Sequence, residues 1–196
     1  MERPAPATRS PYVVPTPYGR PSSTDGLSTV AAPLLAAGAI TLIGVVVQQE
    51  TALRHPGMTL LLLTAATALL IMAVQCGSWA RRYVTSPAEI QQWWPEANRA
   101  RQEIIEREQR RHARRHRLWA RRFTLTFNLG MVCLYLALAA AVMPRAGSDE
   151  AGWRWAASGT AITAAVLEIL WTGLGMLGMR PFRISRWIYG HENAQR

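Results

Sequence analysis

The chain has 196 residues, room for one compact domain by length alone, with 49% hydrophobic residues, a mean hydropathy of +0.02 and a net charge of +10. All 22 basic residues are Arg, so a Walker-type phosphate loop, a Schiff-base lysine and a lysine general base are excluded. Aspartate is confined to Asp25 and Asp149, and only four histidines occur, which leaves hydrolytic and metal-dependent chemistry few groups to use. A near-zero mean from these totals requires very apolar stretches alternating with very polar ones.

Residues 1–26 hold Pro4, Pro6, Pro11, Pro15, Pro17 and Pro21 and few apolar side chains. Such a segment buries too little surface to offset its ordering entropy, so a disordered tail is predicted. Residues 27–48 and 57–77 are two charge-free apolar runs, each long enough to cross a hydrocarbon core, which takes about 20 helical residues. Together 27–77 reads as a transmembrane hairpin. The first run is too long, and begins too far into the chain, for a cleaved signal peptide.

Residues 78–122 form a basic segment. Ser86, Pro87 and Glu89 make a capping box with Pro at the first helical position, so a helix is predicted to start there, with Pro95 interrupting it after Trp93 and Trp94. No breaker occurs from Glu96 to Arg122, and Glu103–Arg107 and Glu106–Arg110 are i,i+4 pairs in the favourable orientation. The helix is predicted to continue into the third apolar run as one rod, whose polar part reaches roughly 40 Å at 1.5 Å per residue. Its short apolar stripe of Ala97, Ala100 and Ile104 gives way to Arg107, Arg110, Arg111, Arg114, Arg115, Arg117, Arg121 and Arg122. These arginines suit anionic headgroups, or an acidic protein partner or second copy; no stacking platform accompanies them, so nucleic acid is disfavoured. Glu108, His112 and His116 share a helical face, but the surrounding arginines repel a cation, and neither metal nor cofactor is expected.

Residues 123–144 carry one Asn and no charge, and 153–179 carry a single internal carboxylate, Glu168; 123–179 reads as a second hairpin. In 180–196, Phe182, Ile184, Trp187, Ile188 and Tyr189 mix with Arg183 and Arg186, as in an amphipathic interfacial segment. Four such runs in this length cannot share a soluble core, because too little polar sequence remains to cover them. The predicted fold class is all-α: a polytopic membrane protein with four transmembrane helices and a long basic helical segment between the second and third.

Nineteen of the 22 arginines lie in the N-terminal tail, the middle segment and the C-terminal tail, and three lie in or beside the other two connections. The positive-inside rule then puts both termini and the middle segment in the cytoplasm. Abundant Ala and Arg without Lys suit a high-GC bacterial genome, hence an inner membrane. Cys76 and Cys133 fall in reducing or apolar surroundings and suggest no disulfide.

Small residues at helical spacing mark packing faces: Pro33, Ala37, Thr41, Gly44 and Gln48; Thr126, Gly130, Cys133, Ala137 and Ala141; and Ala157, Ala161, Ala165, Glu168, Thr172 and Gly175. A carboxylate at mid-membrane is costly unless neutral or paired, so Glu168 is expected to face the bundle and bond a hydroxyl such as Tyr135, with Asn128, Thr41 and Thr67 as further polar candidates. No membrane run contains His, and cysteine clusters, nucleophile elbows and Asp-rich motifs are absent, so no catalytic group is expected. The expected function is non-enzymatic, a scaffold or interaction subunit acting through the arginine-rich helix. The alternative is an oligomeric transporter, pore or membrane-disrupting effector built on Glu168.

Overall fold

A computed structural model of the chain describes residues 20–84, 89, 92–93, 99–145 and 150–176. Every regular element among them is helical: α1 (Arg20–Gly26), a π turn (Leu27–Ala31), α2 (Ala32–Gln48), a 3₁₀ turn (Glu50–Ala52), α3 (Pro56–Arg81), α4 (Arg99–Val142) and α5 (Ala151–Met176). Four helical stretches are long and apolar enough to cross a membrane: Ser23–Gln48, Pro56–Arg81, Glu103–Val142 and Ala151–Gly175. The capping box at Ser86, the break at Pro95 and the amphipathic segment 180–196 lie outside the described residues.

The long rod forms as the sequence predicts. α4 runs unbroken for 44 residues, through both the arginine-rich and the apolar parts, and both i,i+4 pairs are present, Glu103–Arg107 at 3.8 Å and Glu106–Arg110 at 2.9 Å. Helix starts earlier than predicted at the N-terminal end, at Arg20 rather than Leu27. Pro21 sits in the first turn, where its missing N–H goes unused. Farther along, Thr24 is buried and Asp25 pairs with Arg81 at 3.0 Å, so the end of the segment assigned to a free tail is held in place, while Ser28, also buried, belongs to the first apolar run.

Contacts divide the chain into two units. The first comprises Met1–Ala36 and Leu70–Phe127. In it Ala32, Ala36 and Leu70 form a buried cluster flanked by Leu35, Val74 and Phe127, and Ala73, Cys76 and Phe123 form another flanked by Trp119 and Phe127. Gly77 approaches Ser28 closely: an added Cβ would overlap Ser28 Cβ and lie 2.7 Å from Ser28 Oγ. Small residues let helices approach in this way.

The second unit comprises Ala37–Leu69 and Asn128–Arg196. Its buried residues include Ala39, Val46, Thr59, Leu63, Ala66, Leu134, Ala137, Ala139, Ala140, Ser158 and Ala165. Arg54 donates to Pro144 O at 3.3 Å, Arg145 donates to Thr51 O, and Arg154 donates to Val142 O at 3.2 Å. All three arginines of the sparsely charged connections therefore satisfy backbone carbonyls at helix ends or in turns, groups that lack intrahelical partners.

The predicted packing stripe of α2 is not the one used. Ala37, Thr41, Gly44 and Gln48 are exposed, and the buried positions are Ala32, Ala36, Ala39 and Val46. This run has small residues on two adjacent faces, so spacing alone does not select between them. The α4 stripe holds better, with Gly130 and Ala137 buried and Cys133 and Ala141 half-buried. On α5, Ala165 is buried and Ala161, Glu168 and Thr172 half-buried, while Ala157 and Gly175 at the ends are exposed.

Candidate functional site

Charge and aromatic rings concentrate in the first unit, where α3 ends and α4 changes from arginine-rich to apolar. Trp79 and Trp119 stack with ring centroids 5.7 Å apart and planes 19° apart. The Arg82 guanidinium lies 4.4 Å from the Trp79 ring centre, and that of Arg122 lies 4.8 Å from the Trp119 ring centre. Each arginine follows its tryptophan by three residues. Arg122 leans toward the start of α4 onto the indole one turn before it, and Arg82, in the turn just past α3, reaches back onto Trp79. A cation over an exposed indole contributes roughly 0.5–1 kcal/mol.

The two halves share a sequence. Trp79-Ala80-Arg81-Arg82-Tyr83 ends α3 and Trp119-Ala120-Arg121-Arg122-Phe123 recurs within α4. Ala80 and Ala120, each next to its tryptophan, are 0% and 1% exposed. α3 and α4 run antiparallel here: Trp79 meets Trp119, Ala80 meets His116, and Tyr83, just beyond α3, lies against His112. The repeat is the sequence signal for the two Trp–Arg pairs, Trp79 with Arg82 and Trp119 with Arg122.

The adjoining turn is satisfied in detail. His116 is buried with Nδ1 3.1 Å from Ala80 O; a carbonyl only accepts, so Nδ1 carries the proton and serves one of the last carbonyls of α3. The Tyr83 ring lies 5.8 Å from His112, and the Arg115 guanidinium lies 5.8 Å from the Tyr83 ring centre. His112 and His116 are thereby engaged with α3 and the turn that follows it. No group of three or more His, Cys, Asp or Glu able to hold a metal occurs among the described residues.

Along the arm, Arg107 and Arg110 hold Glu103 and Glu106, while Arg111, Arg114, Arg117 and Arg121 are exposed and have neither an ion pair nor a hydrogen bond among the described residues. Helical rise puts Arg114 about 12 Å and Arg111 about 16 Å further along the axis than Arg122.

The intramembrane candidates of the sequence fall in the second unit and are only partly brought together. Asn128 Nδ2 donates to Thr172 Oγ1 at 2.8 Å, and Ser158 Oγ donates to Ala139 O at 3.1 Å, joining α4 to α5. Their register puts Glu168, one turn from Thr172, about level with Met131 and Val132. Glu168 and Tyr135 are both half-buried, and neither makes a hydrogen bond among the described residues, so the expected Glu168–hydroxyl bond is not formed there. Thr41 is exposed and donates to Ala37 O at 3.0 Å, and Thr67 donates to Leu63 O at 2.8 Å, each within its own helix. A threonine so occupied leaves Glu168 no donor.

No protein-family model matches the chain, and no curated protein or solved structure matches it.

Proposed function

We propose that the chain is a multi-pass inner-membrane protein with both termini and the α4 arm in the cytoplasm, and that it acts as a non-enzymatic interaction subunit whose arm docks an acidic protein. The observation that carries this reading is the position of the uncompensated arginines. Headgroup charge is screened beyond about 8 Å at physiological ionic strength. Arg111 and Arg114 stand about 16 and 12 Å along the helix from the level of Arg122, where the apolar part begins. A helix tilt of about 40°, the upper end for membrane spans, shortens those heights by only a quarter. Lipid therefore accounts for the basal arginines and leaves the outer ones a different anionic partner. A second copy is disfavoured there, because parallel arms in one membrane would set like charges side by side.

The test is site-specific photo-crosslinking from Glu108 in cells, with and without Arg111→Glu and Arg114→Glu. A discrete adduct with an acidic protein, lost on charge reversal and weakened by salt, is expected. No adduct, or one indifferent to both changes, overturns the reading.

A second reading is favoured by one observation. Glu168 is half-buried and has no hydrogen bond or ion pair among the described residues, on the helix whose apolar stretch is least covered, 11% buried against 22–33% in the other three. A carboxyl in that position suits an oligomer in which it serves a proton or ion path. Flux in proteoliposomes that Glu168→Gln abolishes is its expected signature; equal flux, or none from either protein, removes it.

A further inference from the structure

We infer that Arg82 and Arg122, each held on its own indole, bind the phosphate headgroups of anionic phospholipids. The inference rests on the multi-pass reading above and goes beyond it by separating a lipid site at the base of the arm from the protein-docking surface farther out.

Three features carry it. First, the two guanidinium groups are positioned rather than merely present: each lies on its own indole, and the indoles stack on each other. Stacking uses the guanidinium face and leaves its edge, which carries the N–H donors that match a phosphate in bidentate fashion. Second, those donors are unspent. The guanidinium groups of Arg82 and Arg122 make no ion pair or hydrogen bond among the described residues, whereas that of the adjacent Arg81 is committed to Asp25 at 3.0 Å. Third, the site lies at the boundary of apolar sequence. Phe123 follows Arg122 directly and is buried, and α4 carries no charge from there to Val142. Indole rings at such a boundary sit at headgroup depth, so the anion within reach is a lipid phosphate rather than a soluble one.

The decisive experiment counts lipids retained by the full chain in native mass spectrometry, after reconstitution in phosphatidylcholine containing about one third phosphatidylglycerol. Failure to incorporate at all would tell against the multi-pass reading itself and is seen before any lipid is counted. In the incorporated protein, Arg82→Gln with Arg122→Gln is expected to weaken phosphatidylglycerol retention about tenfold, with phosphatidylcholine unaffected. Arg111→Gln with Arg114→Gln, the same charge removed farther out, is expected to leave retention unchanged. Arg82→Lys with Arg122→Lys keeps the charge but loses the planar fork, and is expected to remain weakened. Helical circular dichroism in pure phosphatidylcholine checks that each variant is folded. Equal losses from inner and outer pairs, full rescue by Lys, or no loss in the folded Gln variant would each overturn the site.

Discussion

At the scale of single residues, Gly77 packs closely against Ser28 in the first unit. Ser28 is 0% exposed, and an alanine at 77 would meet its side chain directly, with the Phe123 ring 3.5 Å away on the other side. Neither neighbour is the free end of a flexible chain, so the helices themselves must move apart. We expect Gly77→Ala to destabilise by about 1–3 kcal/mol, the usual cost of overpacking, read as a lowered midpoint of thermal unfolding in phosphatidylcholine discs. Ser28→Gly combined with Gly77→Ala should recover most of the loss. A neutral Gly77→Ala, or a double variant no better than the single, would show that the contact is not tight. The sequence carries no local mark of this pair: Gly77 reads as the end of the second apolar run and Ser28 as part of the start of the first, and only three-dimensional proximity connects them.

At the scale of elements, legibility follows the contrast between faces. The arm of α4 is polar enough that its breaker-free length and i,i+4 pairs specify it, and the helix forms as expected. The charge-free runs specify helix equally well but not orientation. With apolar residues all round, the face of α2 that packs is selected by which small residues meet a neighbour, and Ala32, Ala36 and Ala39 are chosen over the adjacent Ala37, Thr41 and Gly44. The π turn at Leu27–Ala31 is likewise invisible to periodicity, because it inserts one residue where every side chain is small or apolar. Polar side chains in the apolar helices mostly turn to their own backbone, as Thr41, Thr64, Thr67, Thr160 and Thr163 do. Depth matching between hydroxyls and Glu168 therefore overstates what can meet. Asn128 to Thr172 and Ser158 to Ala139 O are the bonds that do cross between helices.

For the whole molecule, composition is the most informative level. Alternation of apolar and arginine-rich blocks gives four helices long enough to span a bilayer, and the one-sided distribution of arginine gives a direction. That direction is testable in a background of Cys76→Ala and Cys133→Ala. In intact cells with a permeable outer barrier, a membrane-impermeant maleimide should label Ala52→Cys, whereas Glu108→Cys should react only after the inner membrane is opened. The reverse pattern would invert the topology, and equal labelling of both would contradict alternate crossings. The candidate site was less legible at this level, since a block of arginines looks uniform. Its division into stacked, ion-paired and uncommitted members depends on Trp79, Asp25 and the glutamates near each one.

The uncommitted guanidinium groups of the arm also determine how any attachment to it is undone. A guanidinium keeps its charge across the biological pH range, and with no lysine present there is no side-chain amine to acetylate. For the docking proposed above, the charge of the arm is accordingly constant, and its release falls to loss of the partner's negative charge or to a competing polyanion.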